Sequence, residues 1–235
     1  MITIDGKEVL SSLRELVDPR RAALVLIDLQ KDFMDEGGEF GRLGIDLRMY
    51  ASMRQRVADV LAAARAAGLM VVHVQMSTLP GRSSDSPAQI RFNMKMHQEV
   101  TADKPPLLYT VVGTRGHEFI EEATPSPDEI VVAKWRSSGF WGTNLDLVLR
   151  SNGIETLILA GCTTEGCVES TARDAMFNDY YVVLIEDCMA SDDPVLHEAS
   201  LVLMRHRFDL ATSMEVMGHW SDGARLASTD GSRDT

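Results

Sequence analysis

The stretch Leu157–Phe177, LILAGCTTEGCVESTARDAMF, decides the fold. It passes from a short apolar run through a Gly/Thr turn into a segment with helical periodicity, the order of a strand handing the chain to a helix. The same order recurs on both sides. Upstream, Ala22–Ile27 (AALVLI) is a β-rich run ending at Asp28. A helical pattern over Asp46–Ala67 follows, with Met49, Met53, Val57, Val60, Leu61 and Ala64 on one face and Gly68 as its stop. Leu69–Val74 reads as a strand, as does Ile130–Ala133, before a helix at Thr143–Ser151 stopped by Gly153. The quoted stretch itself gives a strand over Thr156–Ala160 and a helix from about Cys167 to Phe177. Downstream lie Tyr181–Ile185, a helix through Leu196–Arg207 and a short strand near Asp209–Thr212.

Nearly uniformly apolar strands that alternate with helices predict a parallel sheet covered on both faces. The expected class is α/β: a doubly wound, mostly parallel six-stranded sheet with helices on both faces, a Rossmann-like three-layer sandwich. Residues 1–220 read as one domain, and the polar run from Ser221 to Thr235 as a flexible tail. Ser77–Asp128 fits neither period. It holds prolines at 80, 87, 105, 106, 125 and 127 and little beyond a short helix at Gly116–Glu122. So long an irregular segment predicts a lid or a subunit contact. Its apolar residues Ile90, Phe92, Met94, Met96, Leu107 and Leu108 predict packing against another copy, helping to close the active site and giving a homodimer or homotetramer.

Composition narrows the partners. In 235 residues, 45% hydrophobic, 23 Lys and Arg face 35 Asp and Glu, a formal charge of −12. Such a surface repels phosphate backbones and anionic membranes, so nucleic acid and membrane are excluded as expected partners. No apolar run is long enough for a bilayer, and MITIDGKEVL lacks the pattern of a signal peptide, which predicts a cytoplasmic protein. Three cysteines do not make a disulfide framework.

Ligands of doubly wound sheets sit at the carboxyl ends of strands. The residues there are Asp28, Gln75, Lys134, the 161–167 turn, and Glu186 with Asp187. Cys167 is the sharpest of them, because a thiol at a helix N-terminus meets unpaired N–H groups and a positive dipole end that lower its pKa. Cysteine also packs as a small buried hydrophobe, the reading given to Cys162 and Cys188. Asp28 closes an aliphatic strand, with Asp32 nearby as the alternative surface acid. Lys134 closes another strand, where lysines also snorkel. An acid, a base and a thiol at three strand ends make a plausible site. The six histidines show neither HExxH nor HxH spacing, which predicts no metal, and no phosphate-cradling glycine loop follows a strand, which predicts no cofactor. The absence of GxSxG disfavours a serine hydrolase.

ALVLIDLQKDF, AKWRSSGFWGTNLDLVLRSNGIETLILAG and CTTEGCVESTARDA resemble the isochorismatase-like cysteine hydrolases, over about residues 20–215. The resemblance implies a triad of Asp28, Lys134 and Cys167, a cis peptide joining Cys162 to Thr163, and an oxyanion hole from the N–H groups of Thr163 and Cys167. It implies hydrolysis of a small linear amide. The region VQMSTLPGRSS lacks the Asp-x-His segment of the family's metal-assisted nicotinamidases. The stretches around Arg136 and Cys167 are similar to members that cleave ureidoacrylate, and somewhat less to those that cleave biuret, which implies a carbamoyl or ureido substrate. Gln30, Phe33, Trp135, Arg136, Phe140 and Trp141 are the candidate substrate-binding residues. The aromatics there can equally be packing, and Arg136, or one of Arg82, Arg91 and Arg115, is the expected clamp for a substrate carboxylate. The acidic run EDCMASDD (Glu186–Asp193) opposes a carboxylate at that point. A catalytically silent scaffold on the same fold, and a redox thiol with Cys162 as resolving partner, are the competing readings.

Overall fold

The computed structural model describes residues 1–97, 101, 103 and 107–230. The chain opens with an antiparallel hairpin, β1 (Ile2–Ile4) and β2 (Lys7–Val9). Its turn is Asp5-Gly6, both at positive φ, the pair that suits a two-residue hairpin. A single helical turn, α1 (Leu13–Leu16), leads to β3 (Ala22–Ile27), every residue of which is buried. Two more short helices, α2 (Lys31–Met34) and α3 (Glu39–Arg42), precede the long α4 (Arg48–Ala66). Then come β4 (Met70–Met76), α5 (Pro87–His97), β5 (Ile130–Lys134), α6 (Leu145–Ser151) and β6 (Thr156–Cys162). The last part holds α7 (Glu169–Phe177), β7 (Tyr181–Ala190), α8 (Pro194–Arg205), β8 (Asp209–Ala211) and α9 (Ser213–Asp230).

The main sheet has six strands in the order β5-β4-β3-β6-β7-β8, and every pairing in it is parallel. Alternation along β3 splits the core into two layers. Ala22, Leu24 and Leu26 join α4 and α9 on one face, through Met53, Val57, Leu61, Val216 and Trp220. Ala23, Val25 and Ile27 join α6, α7 and α8 on the other, through Leu145, Leu149, Ala172, Ala175 and Leu201. The doubly wound expectation holds, with the sheet wholly rather than mostly parallel. No helix among the described residues is long and apolar enough to cross a membrane.

The chain leaves the sheet centre toward β5, then returns to lay β6 beside β3. That reversal opens a crevice above the carboxyl ends of β3 and β6. The two strands touch closely there. Gly161, at φ 134°, lies so near β3 that a Cβ would stand 2.0 Å from the Ile27 carbonyl oxygen.

The segment 77–128 carries more structure than its prolines suggest. Pro87 starts α5 rather than breaking it, since a proline at the first helical position gives up only an N–H that has no intrahelical partner. The expected helix at Gly116–Glu122 is instead two separate 3-10 turns, Arg115–His117 and Glu121–Ala123. Between them the chain is extended, with Phe119 bridged to Gln30 and the Ile120 N–H donating to the Leu29 carbonyl at 3.0 Å. The polar run from Ser221 begins inside α9, whose backbone is helical to Asp230, and residues 231–235 lie outside the described residues.

Candidate active site

Asp28 leaves β3 with φ 55°, a left-handed conformation that aspartate tolerates better than most residues. This turns its side chain under the crevice. There Oδ1 accepts the Met76 N–H at 2.9 Å, and Oδ2 lies 2.8 Å from Nζ of Lys134. Lys134 ends β5 two strands away, and its long stem crosses β4 past Met76 Sδ at 3.5 Å. Its ammonium also donates to the Arg136 carbonyl at 3.0 Å and to Cys167 Sγ at 3.1 Å. Both Asp28 and Lys134 are buried, at 1% and 0% exposure, while Cys167 stays partly exposed.

The cysteine sits on a distorted turn. Cys162 and Thr163 are joined by a cis peptide, and Thr164–Val168 forms a π turn before regular helix begins at Glu169. The Thr163 carbonyl accepts the N–H groups of Gly166 (3.2 Å) and Val168 (3.1 Å), bypassing that of Cys167 between them. Side chains brace the turn: Thr164 Oγ1 meets His197 Nδ1 of α8 at 2.8 Å, and Thr171 Oγ1 donates to the Cys167 carbonyl at 2.7 Å.

The electrostatics correct one expectation. Burial and the Asp28 carboxylate push the Cys167 thiol up to about 12, against the downward pull of Lys134. Burial likewise raises Asp28 above the usual carboxylate range, although Lys134 opposes it. Burial works against the Lys134 charge, but Asp28 and Cys167 outweigh it and hold the ammonium above its ordinary value. A carboxylate, an ammonium and a neutral thiol sum to zero charge around the buried Asp28 and Lys134. A standing thiolate would add an unbalanced anion. The helix N-terminus therefore does not by itself produce a lowered thiol.

Above the three lies a cavity of about 460 Å³. Asp28, Cys162, Thr163, Glu165 and Cys167 form its floor. Phe33, Phe40 and Tyr109 wall one side, with ring centroids 5.1 Å (Phe33–Phe40) and 5.3 Å (Phe33–Tyr109) apart. Gln89, Phe92, Asn93 and Met96 of α5 form another wall, and Asp192, Asp193 and Leu196 close the rim.

Of the expected substrate-binding residues, Phe33 lines this cavity and the others are placed elsewhere. Gln30 is fully buried, its carboxamide donating to the carbonyls of Met76 (3.0 Å) and His117 (2.8 Å). Phe140 packs on Tyr180, and Trp141 is 66% exposed. Trp135 and Arg136 are half-buried, and the Arg136 guanidinium is turned onto the carbonyls of Trp135 and Ser84. The loop after β5 touches the cavity through Ser137 and then turns down toward α7, where the Gly139 N–H donates to Thr171 Oγ1 at 2.9 Å. The other candidate clamps are also engaged or outward: Arg115 pairs with Asp35 at 2.8 Å, Arg82 donates to the Leu107 carbonyl at 2.8 Å, and Arg91 is exposed. Asp32 is not a surface acid; it is buried and accepts the N–H groups of Glu39 (3.0 Å) and Thr110 (2.6 Å). The 77–128 segment does help to close the site, through Phe92 and Met96, while sequence reasoning missed that it does so as a helix and did not single out Phe40, Tyr109 or Glu165. Pro87, a residue favoured at the first helical position, was the available signal for α5, because the apolar residues at 90, 92, 94 and 96 alternate with period two instead of following a helical spacing.

Known proteins place this geometry. The Isochorismatase domain model matches residues 22–216. The ureidoacrylate amidohydrolase RutB of Enterobacter sp. (strain 638) is 32% identical over 179 residues, covering 75% of this chain and 78% of that protein. A cysteine hydrolase from Pseudomonas syringae pv. phaseolicola 1448A superposes with a TM-score of 0.73 at 26% identity, over 88% of this chain and 95% of that one. N-carbamoylsarcosine amidase from Thermoplasma acidophilum gives a TM-score of 0.62 at 28% identity, over 82% and 96%. With the wholly parallel sheet and the acid, lysine and cysteine at its strand ends, these matches show that the chain belongs to the isochorismatase family, as a hydrolase of carbon–nitrogen bonds other than peptide bonds.

Proposed function

We propose that the protein is a cysteine amidohydrolase that releases ammonia from a small linear amide bearing a terminal carbamoyl or ureido group. The observation that carries this reading is the contact of one buried ammonium with both a carboxylate (2.8 Å) and a thiol (3.1 Å) on the floor of a cavity. Asp28 takes the Cys167 proton as the sulfur attacks the amide carbonyl, and Lys134 balances the charge that passes to the sulfur. The N–H groups of Thr163 and Cys167 stabilise the oxyanion. Asp28 returns the proton to the leaving nitrogen, ammonia departs, and a thioester or thiocarbamate remains on Cys167. Water, deprotonated by Asp28, then cleaves it to the acid or carbamate. The carbamoyl or ureido assignment draws on the named activity of the relatives and on a cavity sized for a small substrate.

Ammonia release from ureido acids, biuret, nicotinamide and maleamate tests the proposal, with mass spectrometry of acid-quenched enzyme to find an acyl or carbamoyl adduct on Cys167. Release from a carbamoyl or ureido compound is expected; no release from any amide overturns it. We further propose a homodimer or homotetramer, in line with the half-exposed Phe92 and Met96 on α5, and light scattering at the mass of one 25.9 kDa chain overturns that.

A further inference from the structure

The charges around the cavity are of one sign. Its lining includes the carboxylates Asp28, Glu165, Asp192 and Asp193 and, among the described residues, no arginine or lysine. Lys134 lies below the floor with its ammonium engaged by Asp28, Cys167 and the Arg136 carbonyl. Two of the four acids are already balanced. Asp28 has Lys134, and Asp193 caps α8, its Oδ1 accepting the N–H groups of Val195 (2.8 Å) and Leu196 (3.2 Å).

Glu165 has no such balance. It stands on the π turn two residues before Cys167. Its hydrogen bonds come from the neutral hydroxyls of Ser191 and Thr163 and from its own N–H. Its Oε2 is buried without a hydrogen-bond partner, and it forms no ion pair among the described residues. Burial, reinforced by Asp192, works against its charge and raises its carboxyl above the usual range, opposed by its own N–H and by the Ser191 and Thr163 hydroxyls. The field of that charge falls on whatever part of a substrate extends past the scissile carbonyl.

Resting on the hydrolytic reading above, we propose that Glu165 is a specificity-determining residue: it favours substrates whose distal end is neutral and rich in N–H donors, or cationic, and rejects those that end in a carboxylate. A biuret-like terminus brings N–H groups to an acceptor. A ureido acid brings a second anion to a wall with no cation to receive it. This distinguishes the chain from relatives named for ureidoacrylate, an acid, despite their likeness over most of the fold.

Binding to the Cys167→Ala protein separates specificity from turnover. Calorimetry with biuret and with 3-ureidopropanoate is expected to show the neutral ligand bound roughly 10-fold or more tightly than the acid. Glu165→Gln in that background is expected to narrow the preference by about 10-fold, and Glu165→Asp, which keeps the charge, to retain most of it. Equal or tighter binding of 3-ureidopropanoate to Cys167→Ala overturns the proposal, and so does a preference unchanged by Glu165→Gln. Should Glu165→Gln fail to fold, the preference of the Cys167→Ala protein itself decides. Neutral-ligand preference without ammonia release by the unmodified enzyme would refute the hydrolytic reading and leave the role of Glu165 standing; release that is indifferent to residue 165 would do the reverse.

Discussion

Two buried carboxylates near opposite ends of β5 face opposite fates. Just before the strand, Glu129 accepts Arg65 Nε (2.7 Å) and Nη2 (2.8 Å), the Ser126 N–H (2.8 Å) and His73 Nε2 (2.9 Å). Burial opposes its charge, but these donors win and hold its carboxyl down to about 2. Under the carboxyl ends of the strands, Asp28 meets one ammonium, one N–H and a thiol, and burial pushes it up instead. Residue type is nearly the same in the two clusters. What differs is the depth of burial, the cation (a partly exposed guanidinium against a fully buried ammonium) and the number of fixed donors. A carboxylate held by four donors suits a brace; one left beside a thiol suits the proposed role of a base.

The largest expected contrast comes from removing the thiol. Cys167→Ala and Cys167→Ser should lower turnover by at least roughly 10⁴-fold with unchanged thermal unfolding. Iodoacetamide should label Cys167 well ahead of the buried Cys162 and Cys188. Labelling of Cys188 with activity intact would dissolve the contrast. Lys134→Met should cost both activity and fold. It strands the Asp28 charge in a dry site, a loss of about 3–5 kcal/mol by denaturant unfolding, and slows alkylation of Cys167.

The pH dependence separates the clusters further. In the proposed mechanism Asp28 has to be ionised to accept the thiol proton, and burial holds its pKa above the ordinary value. Activity should therefore rise with pH on an acid limb set above the usual carboxylate range, measured as kcat/KM. Glu129 works in the opposite sense. Its folded pKa of about 2 is below its ordinary 4.5, so its stabilisation is full above 4.5 and is lost as pH falls toward 2. Glu129→Gln should cost about 1–2 kcal/mol at neutral pH, discounted because Arg65 is partly solvent-exposed, and should leave kcat unchanged. A fall in kcat would mean that the brace reaches the site. The smallest effect is expected at Arg136. Its guanidinium holds backbone carbonyls away from the cavity lining, so Arg136→Ala should change kcat/KM for a ureido acid and for biuret by the same factor.

Much of the site was legible because strand ends are legible. Ala22–Ile27 is read to the residue, and the strands that carry Lys134 and Cys162 are read to within two residues of their ends. Regular helix begins at Glu169 rather than Cys167, since a π turn has no periodicity to read. The long β7 was read only to Ile185; beyond it the strand bulges, pairing jumping from Leu184 to Met189 opposite Leu159 and Gly161. Asp28 and Asp32 could not be told apart in IDLQKDF. Their separation lies in Met76, Lys134, Glu39 and Thr110, all but Glu39 more than forty residues from either acid.

By itself the sequence determined the order and type of the main elements, the parallel sheet, and that an acid, a lysine and a cysteine stand at the crevice. Burial repeats along each strand and helix, so local periodicity records it. Only the tertiary structure decided what walls the cavity and in what charge state its groups rest. Those walls are assembled from α2, α3, α5, the π turn and the start of α8, segments whose meeting depends on packing distance rather than on any local pattern. A pKa in a dry pocket depends on how many donors converge there, and that count exists only once the chain has folded.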